Sequence, residues 1–310
     1  PRVRRQRQMC IRDRYYCKCC GKLFSNTTGT LYHKSNKQYL LWKQFIACEI
    51  NGLSLTQSSI QIGKSRTTCF NMRHKLYKAI EASVLLTTLS GVIEIDAAYT
   101  SINLKGTKPD KMPRFSKKRG NRAAYSGISH HKVCLITAID ENDNMLFRIG
   151  GLGPESFDKY SKYASNFNEV TRFISDSKAA INLFAESLNC QIEQIPVLAN
   201  KKRYATKNGK TISNVNQLHS EFSILITKKH GVSTRHLQSY LNWLLFIKNT
   251  RYIVKDTARS SHTYMETMHQ GNTIKVRDIY KQEFPIDLFI AYGDYKYGCL
   301  LYTSPSPRDP

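Results

Sequence analysis

Along the chain, apolar positions first recur at helical spacing. In residues 37–82 Tyr39, Leu40, Trp42, Phe45, Ile46 and Ile50 form one apolar stripe, the period of an amphipathic helix. The stretch "GLSLTQSSIQIGKSRTTCFNMRHKLYKAI" follows, with Gly63 between two helical patterns. A short helix, a tight turn and a second helix is the spacing of a helix-turn-helix. From residue 91 the period changes to that of strands. "GVIEIDAAYTSIN" precedes a basic loop at 105–122, and then "HKVCLITAID", the turn "ENDN" and "MLFRIGG" read as adjacent antiparallel strands. "VTRFISDSKAAINLFAESLN" reads as strand, Asp176, helix, and residues 213–249 are helical apart from a break at "HGVST". A β-meander followed by alternating strand and helix predicts an α/β fold with a mixed sheet flanked by helices.

Composition adds a partner class. The chain has 310 residues and 41% hydrophobic residues, enough for sizeable cores. Lys and Arg outnumber Asp and Glu by 47 to 23, a net charge of +24 spread through most of the chain. A basic surface of this kind suits a polyanion, and nucleic acid is the expected one. No apolar run approaches the roughly 20 residues of a membrane span, and no signal-peptide h-region follows the basic N-terminus. No membrane partner and a cytoplasmic location are therefore expected. The nine cysteines are an odd number, and only Cys17, Cys19 and Cys20 cluster, which favours metal binding over disulfides. Residues 1–14 and 299–310 resemble translated sequencing-adapter tails and are expected to be foreign to the fold.

The candidate chemistry begins with two aspartates. Asp96 and Asp176 each sit where an apolar β run ends, although they are far apart in sequence. Strand ends of an α/β sheet converge on a crevice, so the two carboxylates can share a site. Like charges held close need a countercharge, and for hard oxygen ligands that is Mg²⁺ or Mn²⁺. The competing reading makes each a surface residue, with Asp176 capping the following helix. A third ligand is expected from the helix "SNVNQLHSEFSILI", whose buried stripe is Val215, Leu218, Phe222, Leu225 and Ile226. Asn216, His219 and Ser223 project on one flank and Glu221 on the other. Glu221 is the better Mg²⁺ ligand by chemistry; His219 and Asn216 form the polar cluster.

Taken together, "VIEIDAAYTS", the basic loop, "FISDSKAAINLF", "VNQLHSEFSILITKKHGVSTRHLQSYLNWLLF" and "CGKLFSNTTGTLYH" resemble the DDE-superfamily insertion-sequence transposases of the ISXO-like group. The resemblance spans about residues 17–250. It implies a partial zinc ribbon at 15–36, a helix-turn-helix DNA-binding domain at 37–88 and an RNase H-like catalytic domain at 89–250, with 251–298 an extension of unassigned role. It implies an enzyme that cleaves the ends of its insertion sequence and joins 3′-hydroxyl ends to target DNA by two-metal phosphoryl transfer. By position Asp96 and Asp176 are the first two catalytic carboxylates, and the third slot falls on His219 or Asn216. Two places depart from the pattern. Ala97 stands where a second acid often follows the first aspartate, and Ser223 and Ile226 stand where a basic residue is usual, with Lys228 coming late. Cys17 and Cys20 form the C-x-x-C of one zinc knuckle; a Zn²⁺ site needs four ligands, and Cys10 is the sole upstream cysteine. In the second helix of the helix-turn-helix, Arg66, Thr67, Thr68 and Asn71 lie where base edges are read, while Arg73, His74, Lys75 and Lys78 suit phosphates. The partners implied are terminal inverted repeats, target DNA and further copies of the chain.

Overall fold

The structure, a computed structural model, describes residues 15–25, 27–33, 39–85, 87–108, 111–114, 125, 127–176, 178–195, 211–253, 258–269 and 273–293. The chain divides into two compact units, one of residues 1–85 and 246–281, the other of 86–245 and 282–310. Both proposed adapter tails, Cys10 and most of the basic loop 105–122 lie outside the described residues.

In the first unit a small hairpin pairs β1 (Tyr15–Tyr16) with β2 (Leu23–Phe24). Three helices follow: α1 (Tyr39–Ile50), α2 (Leu55–Ile62) and α3 (Arg66–Ala79), with the short α4 (Glu81–Leu85) after them. Local chemistry sets their limits. Ser54 and Gln57 form a capping box at the start of α2, Gly63 ends that helix in the left-handed region at φ 62°, and the Ser65 hydroxyl accepts from the Thr68 amide to start α3. Helix, three-residue turn and helix thus stand where the sequence pattern puts them. The stripe on α1 differs from expectation. Trp42, Phe45 and Ile46 are buried, but Tyr39 and Leu40 are exposed, and the burial continues through Cys48 to Glu49. The acid is admissible there because Arg73 of α3 meets it with bidentate geometry, at 2.6 Å from Nη2, and Tyr77 donates to it at 2.8 Å. Further along the chain, α9 (Arg259–His269) packs on α1, and Thr267 shares a 2.7 Å hydroxyl hydrogen bond with Tyr32. The short α10 (Val276–Ile279) contacts α3.

The second unit is built on a five-stranded mixed sheet. Its strands are β3 (Leu89–Ser101), β4 (Lys132–Asp140), β5 (Met145–Leu152), β6 (Phe167–Asp176) and β7 (Gln191–Ile195), in the order β5-β4-β3-β6-β7. β3, β4 and β5 are antiparallel; β6 runs parallel to β3, and β7 parallel to β6. The β4–β5 turn is held by the buried Asp140, whose carboxylate accepts from the Asn142 and Asn144 amides and the Asn144 side chain. Gly91 lies at a register shift between β3 and β6, at φ 70°, where a Cβ would sit 2.4 Å from a Glu141 carboxylate oxygen, so no larger residue fits without rearrangement.

Alternation along the strands gives the sheet two different faces. One face, with Ile93, Ile95, Ala97, Ile136 and Ala138, forms a core with α5 (Phe157–Ser161) and α6 (Ala179–Ser187) through Tyr160, Ile181 and Phe184. The other carries Glu94, Asp96, Thr137 and Phe147 and is covered by α7 (Ser213–Lys228), whose buried residues are Val215, Leu218 and Phe222. The break after α7 passes through a 3₁₀ turn at Thr234–His236 into α8 (Leu237–Ile253). Gln238 of α8 pairs with the backbone of edge strand β5, accepting from Ile149 N and donating to Phe147 O, which protects that edge. The expected α/β fold with a mixed sheet flanked by helices is the architecture observed. The described part of 251–298 is divided between the two units instead of standing apart.

Candidate functional site

The site lies where the strand order changes direction. From β3 the chain builds outward through β4 and β5, then returns to β6 on the other side of β3, so the carboxyl ends of β3 and β6 flank a topological switch point. The parallel register pairs Glu94 with Ile174. Two residues on, Asp96 and Asp176 therefore project from the same sheet face on adjacent strands, which lie about 4.8 Å apart. The convergence matches the sequence expectation, but only Asp176 ends its strand; Asp96 lies inside β3, which runs on to Ser101.

Electrostatics ties the two carboxylates together. Asp96 is pushed up to about 6, first by burial and then by the Asp176 charge, while the Ala97 amide and the Lys178 ammonium pull the other way. Asp176 has one buried oxygen, Oδ1, with no hydrogen-bond partner among the described residues. Its other oxygen lies 3.3 Å from Lys178 Nζ. It is not the N-cap of α6: that helix starts at Ala179, its N-cap is Lys178, and the cap makes no side-chain hydrogen bond.

Around the pair stand residues that sequence reasoning missed. Glu155, in the turn after β5, receives Lys178 Nζ at 2.6 Å and the hydroxyls of Tyr99 and Tyr160. The Glu155 amide also donates to Tyr99 Oη at 3.2 Å. Burial opposes the Lys178 charge, but the hydrogen bond and charge of Glu155, with Asp176 and Asp96 behind them, outweigh it and hold the ammonium above the usual lysine range. Burial first and then the Glu155 charge push both tyrosines well above their ordinary range, so each stays a hydroxyl donor. No sequence signal marks Glu155, because a lone glutamate in a turn reads as solvated. Glu94, on the same strand and face as Asp96, reaches the first turn of α7 and accepts from the Asn214 and Val215 amides and the Asn214 side chain. It thereby fixes where α7 starts over the sheet.

The three candidates for a third ligand are placed differently. His219 is half-buried, its Nε2 2.9 Å from Thr137 Oγ1, and Thr137 is the cross-strand partner of Asp96. Its ring also lies 6.1 Å from that of Phe147, and burial lowers its pKa to about 4, so the imidazole is neutral. Asn216 is exposed, and Glu221 is half-buried with Gln217 at 3.4 Å. Among the described residues, no three His, Cys, Asp or Glu side chains gather closely enough to hold a metal ion. Two carboxylates still suit Mg²⁺, which keeps several waters and is commonly held by one or two carboxylates together with substrate phosphates. The Asp176 oxygen without a partner among the described residues, beside the Asp96 carboxyl raised by burial and then by Asp176, is the donor set such an ion would satisfy.

Among the described residues the proposed zinc ligands do not assemble into a site. Cys17, Cys19 and Cys20 occupy the tip of the β1–β2 hairpin, where hydrogen bonds from Cys20 and then Cys19 hold the Cys17 thiol below its usual range. No third and fourth partners join Cys17 and Cys20 among the described residues, so this hairpin alone does not fit tetrahedral Zn²⁺.

On the second helix of the helix-turn-helix pattern the structure separates outward from inward residues. Arg66 and Thr67 are exposed at the start of α3. Thr68 is half-buried, its hydroxyl accepting from Ser65, and Asn71 accepts from the Tyr280 hydroxyl at 3.0 Å. Lys75 and Lys78 are half-buried, Lys78 paired with Glu81. Arg73 and His74 are corrected: both are buried, the guanidinium on Glu49 and the imidazole against Phe70, because α3 turns that flank toward α1. They are core residues and not phosphate contacts.

No protein-family model matches the chain. It is 29% identical over 103 residues to the "Uncharacterized protein in transposable element ISH50" of Halobacterium salinarum, a match covering 33% of this chain and 34% of that protein. Among solved structures it aligns with a chain of the crystal structure of a pre-cleavage Mos1 transpososome at 11% identity, over 87% of this chain and 86% of that one, with a TM-score of 0.19, at which the likeness carries no argument. No helix among the described residues is long and apolar enough to cross a membrane. The chain is thus similar, over a third of its length, to a protein encoded by an insertion element.

Proposed function

We propose that the chain is a DDE-type transposase that cuts the ends of an insertion sequence and joins the freed 3′-hydroxyls to target DNA. The observation that carries this reading is the pairing of Asp96 and Asp176 on one sheet face at the switch point, the Asp96 carboxyl raised by burial and then by Asp176, and one buried Asp176 oxygen without a partner among the described residues. Asp96 and Asp176 would hold Mg²⁺ or Mn²⁺, which when bound supplies Lewis-acid activation of water and then of a 3′-hydroxyl. Thr137 holds His219 Nε2 at 2.9 Å, and burial keeps its imidazole neutral, the form in which it would ligate a metal. Glu94 anchors the α7 N-terminus, keeping His219 over this face, with Asn216 exposed and Glu221 on the helix's other flank. The net charge of +24, the exposed Arg66 and Thr67 of α3, and Lys75 and Lys78 suit binding of the terminal repeats. The similarity to an insertion-element protein supports the same assignment, and assembly of copies on DNA in the cytoplasm belongs to it.

Cleavage of a labelled terminal-repeat duplex in Mg²⁺ or Mn²⁺ tests the reading. Asp96→Asn is expected to abolish cutting, a loss of more than about a hundredfold, while leaving DNA binding intact. Cutting by the variant at the wild-type rate would refute the assignment, and cutting that ignores the repeat sequence would favour an RNase H-like nuclease. A second reading, a catalytically inactive DNA-binding protein of transposase descent, is favoured by Ala97 and by the lack of a three-ligand cluster among the described residues. Sequence-specific binding without metal-dependent cutting by the wild type would select it.

A further inference from the structure

Lys178 reaches two acids at once. Its ammonium is 2.6 Å from Glu155 and 3.3 Å from Asp176 Oδ2, and it is the cation set against the Asp96–Asp176 pair. Glu155 is fastened from three sides, by Lys178 and by the hydroxyls of Tyr99 on β3 and Tyr160 on α5, and its side chain is only 7% exposed. Asp176 is held less completely, since its Oδ1 has no partner among the described residues. The arrangement is therefore asymmetric: a rigid acceptor at Glu155 and a looser contact at Asp176, bridged by one flexible, partly exposed side chain.

We propose that Glu155 parks the Lys178 ammonium beside Asp176 as an internal cation, which a divalent ion displaces from Asp176 when it binds. This inference rests on the metal reading of the Asp96–Asp176 pair. In the absence of the ion, Lys178 compensates two carboxylates that would otherwise repel across adjacent strands. On binding, Lys178 keeps its shorter contact to Glu155 and gives up the longer one to Asp176. Glu155 and Lys178 are positioning residues: they set how readily the pair accepts an ion without ligating it. Neither was marked as functional by sequence pattern, and the pair explains why an acid with three donors is buried next to the site.

The test is calorimetric titration of the full chain with Mn²⁺ at pH 8. Lys178→Met removes the competing cation and is expected to tighten Mn²⁺ binding by roughly threefold to tenfold, the scale of one partly screened charge pair. Glu155→Gln leaves Lys178 to Asp176 alone and is expected to weaken binding by a similar factor. In the double variant the Glu155→Gln effect should vanish, because Lys178 transmits it. Weaker binding in Lys178→Met, or strictly additive effects in the double variant, would overturn the parking role while leaving the metal site standing. Wild-type protein that takes up no Mn²⁺, or takes it up unchanged after Asp96→Asn, would overturn the metal reading and this inference with it. Lys178 is partly exposed, so its variant reports even if Glu155→Gln fails to fold.

Discussion

Asp96 ionises against its surroundings, and His219 resists protonation for the same reason: both are largely removed from water on one sheet face. The consequences for stability have opposite signs. The Asp96 carboxyl is raised from 3.8 to about 6, so the folded state holds its proton longer than the unfolded chain, and stability falls as pH rises through that interval. His219 is lowered from 6.5 to about 4, so its contribution is complete above pH 6.5 and is lost as pH falls toward 4. Urea unfolding at pH 4.5 and pH 7 separates the two. Asp96→Asn should gain stability relative to wild type between the lower and the higher pH, whereas His219→Gln should cost more at pH 7 than at pH 4.5. Differences that do not change with pH in either variant would show that the two groups titrate normally. The positions of Asp96 and Asp176 were legible in sequence because an acid at the end of an apolar β run is costly without a partner. Those of Glu155 and Lys178 were not, since their significance arises only when β5, β3 and α6 bring them together.

At the scale of elements, the pairing of α1 with α3 turns on an ion pair in a core. Glu49 and Arg73 are both almost fully buried, joined by Nε and Nη2 contacts, with Tyr77 and the Leu53 carbonyl completing the set. Removing one member leaves the other charged and buried. Arg73→Ala is expected to destabilise the unit by about 3–5 kcal/mol, measured by denaturant unfolding, with DNA affinity per folded molecule unaffected. A loss of affinity without a loss of stability would return Arg73 to the phosphate-binding role that its position in the sequence suggested. Periodicity misled here for Arg73, because an arginine in a basic helix reads as a surface contact; its burial as a pair with Glu49 is visible only after the helices meet. Helix and strand limits were more legible, because Ser54, Gly63, Ser65 and the turn around Asp140 carry their own local chemistry.

At the scale of the whole molecule, one chain combines a net charge of +24 with a carboxylate pair at a sheet switch point. Under the proposed function, charge of this sign would draw DNA to the surface, and the half-buried acidic pair loaded with a divalent ion would let that attraction end in cutting instead of simple binding. The mixed sheet follows from strand and helix periods; the position of the third site residue does not, because helical spacing fixes a flank of α7 but not its distance from β3. The most direct test of the central claim is the number of Mn²⁺ ions bound by the folded full chain and by its Asp96→Asn and Asp176→Asn variants. Binding by the wild type that is lost or weakened at least about tenfold in both variants, with both variants folded, is the predicted result. Equal binding by all three proteins would contradict the account.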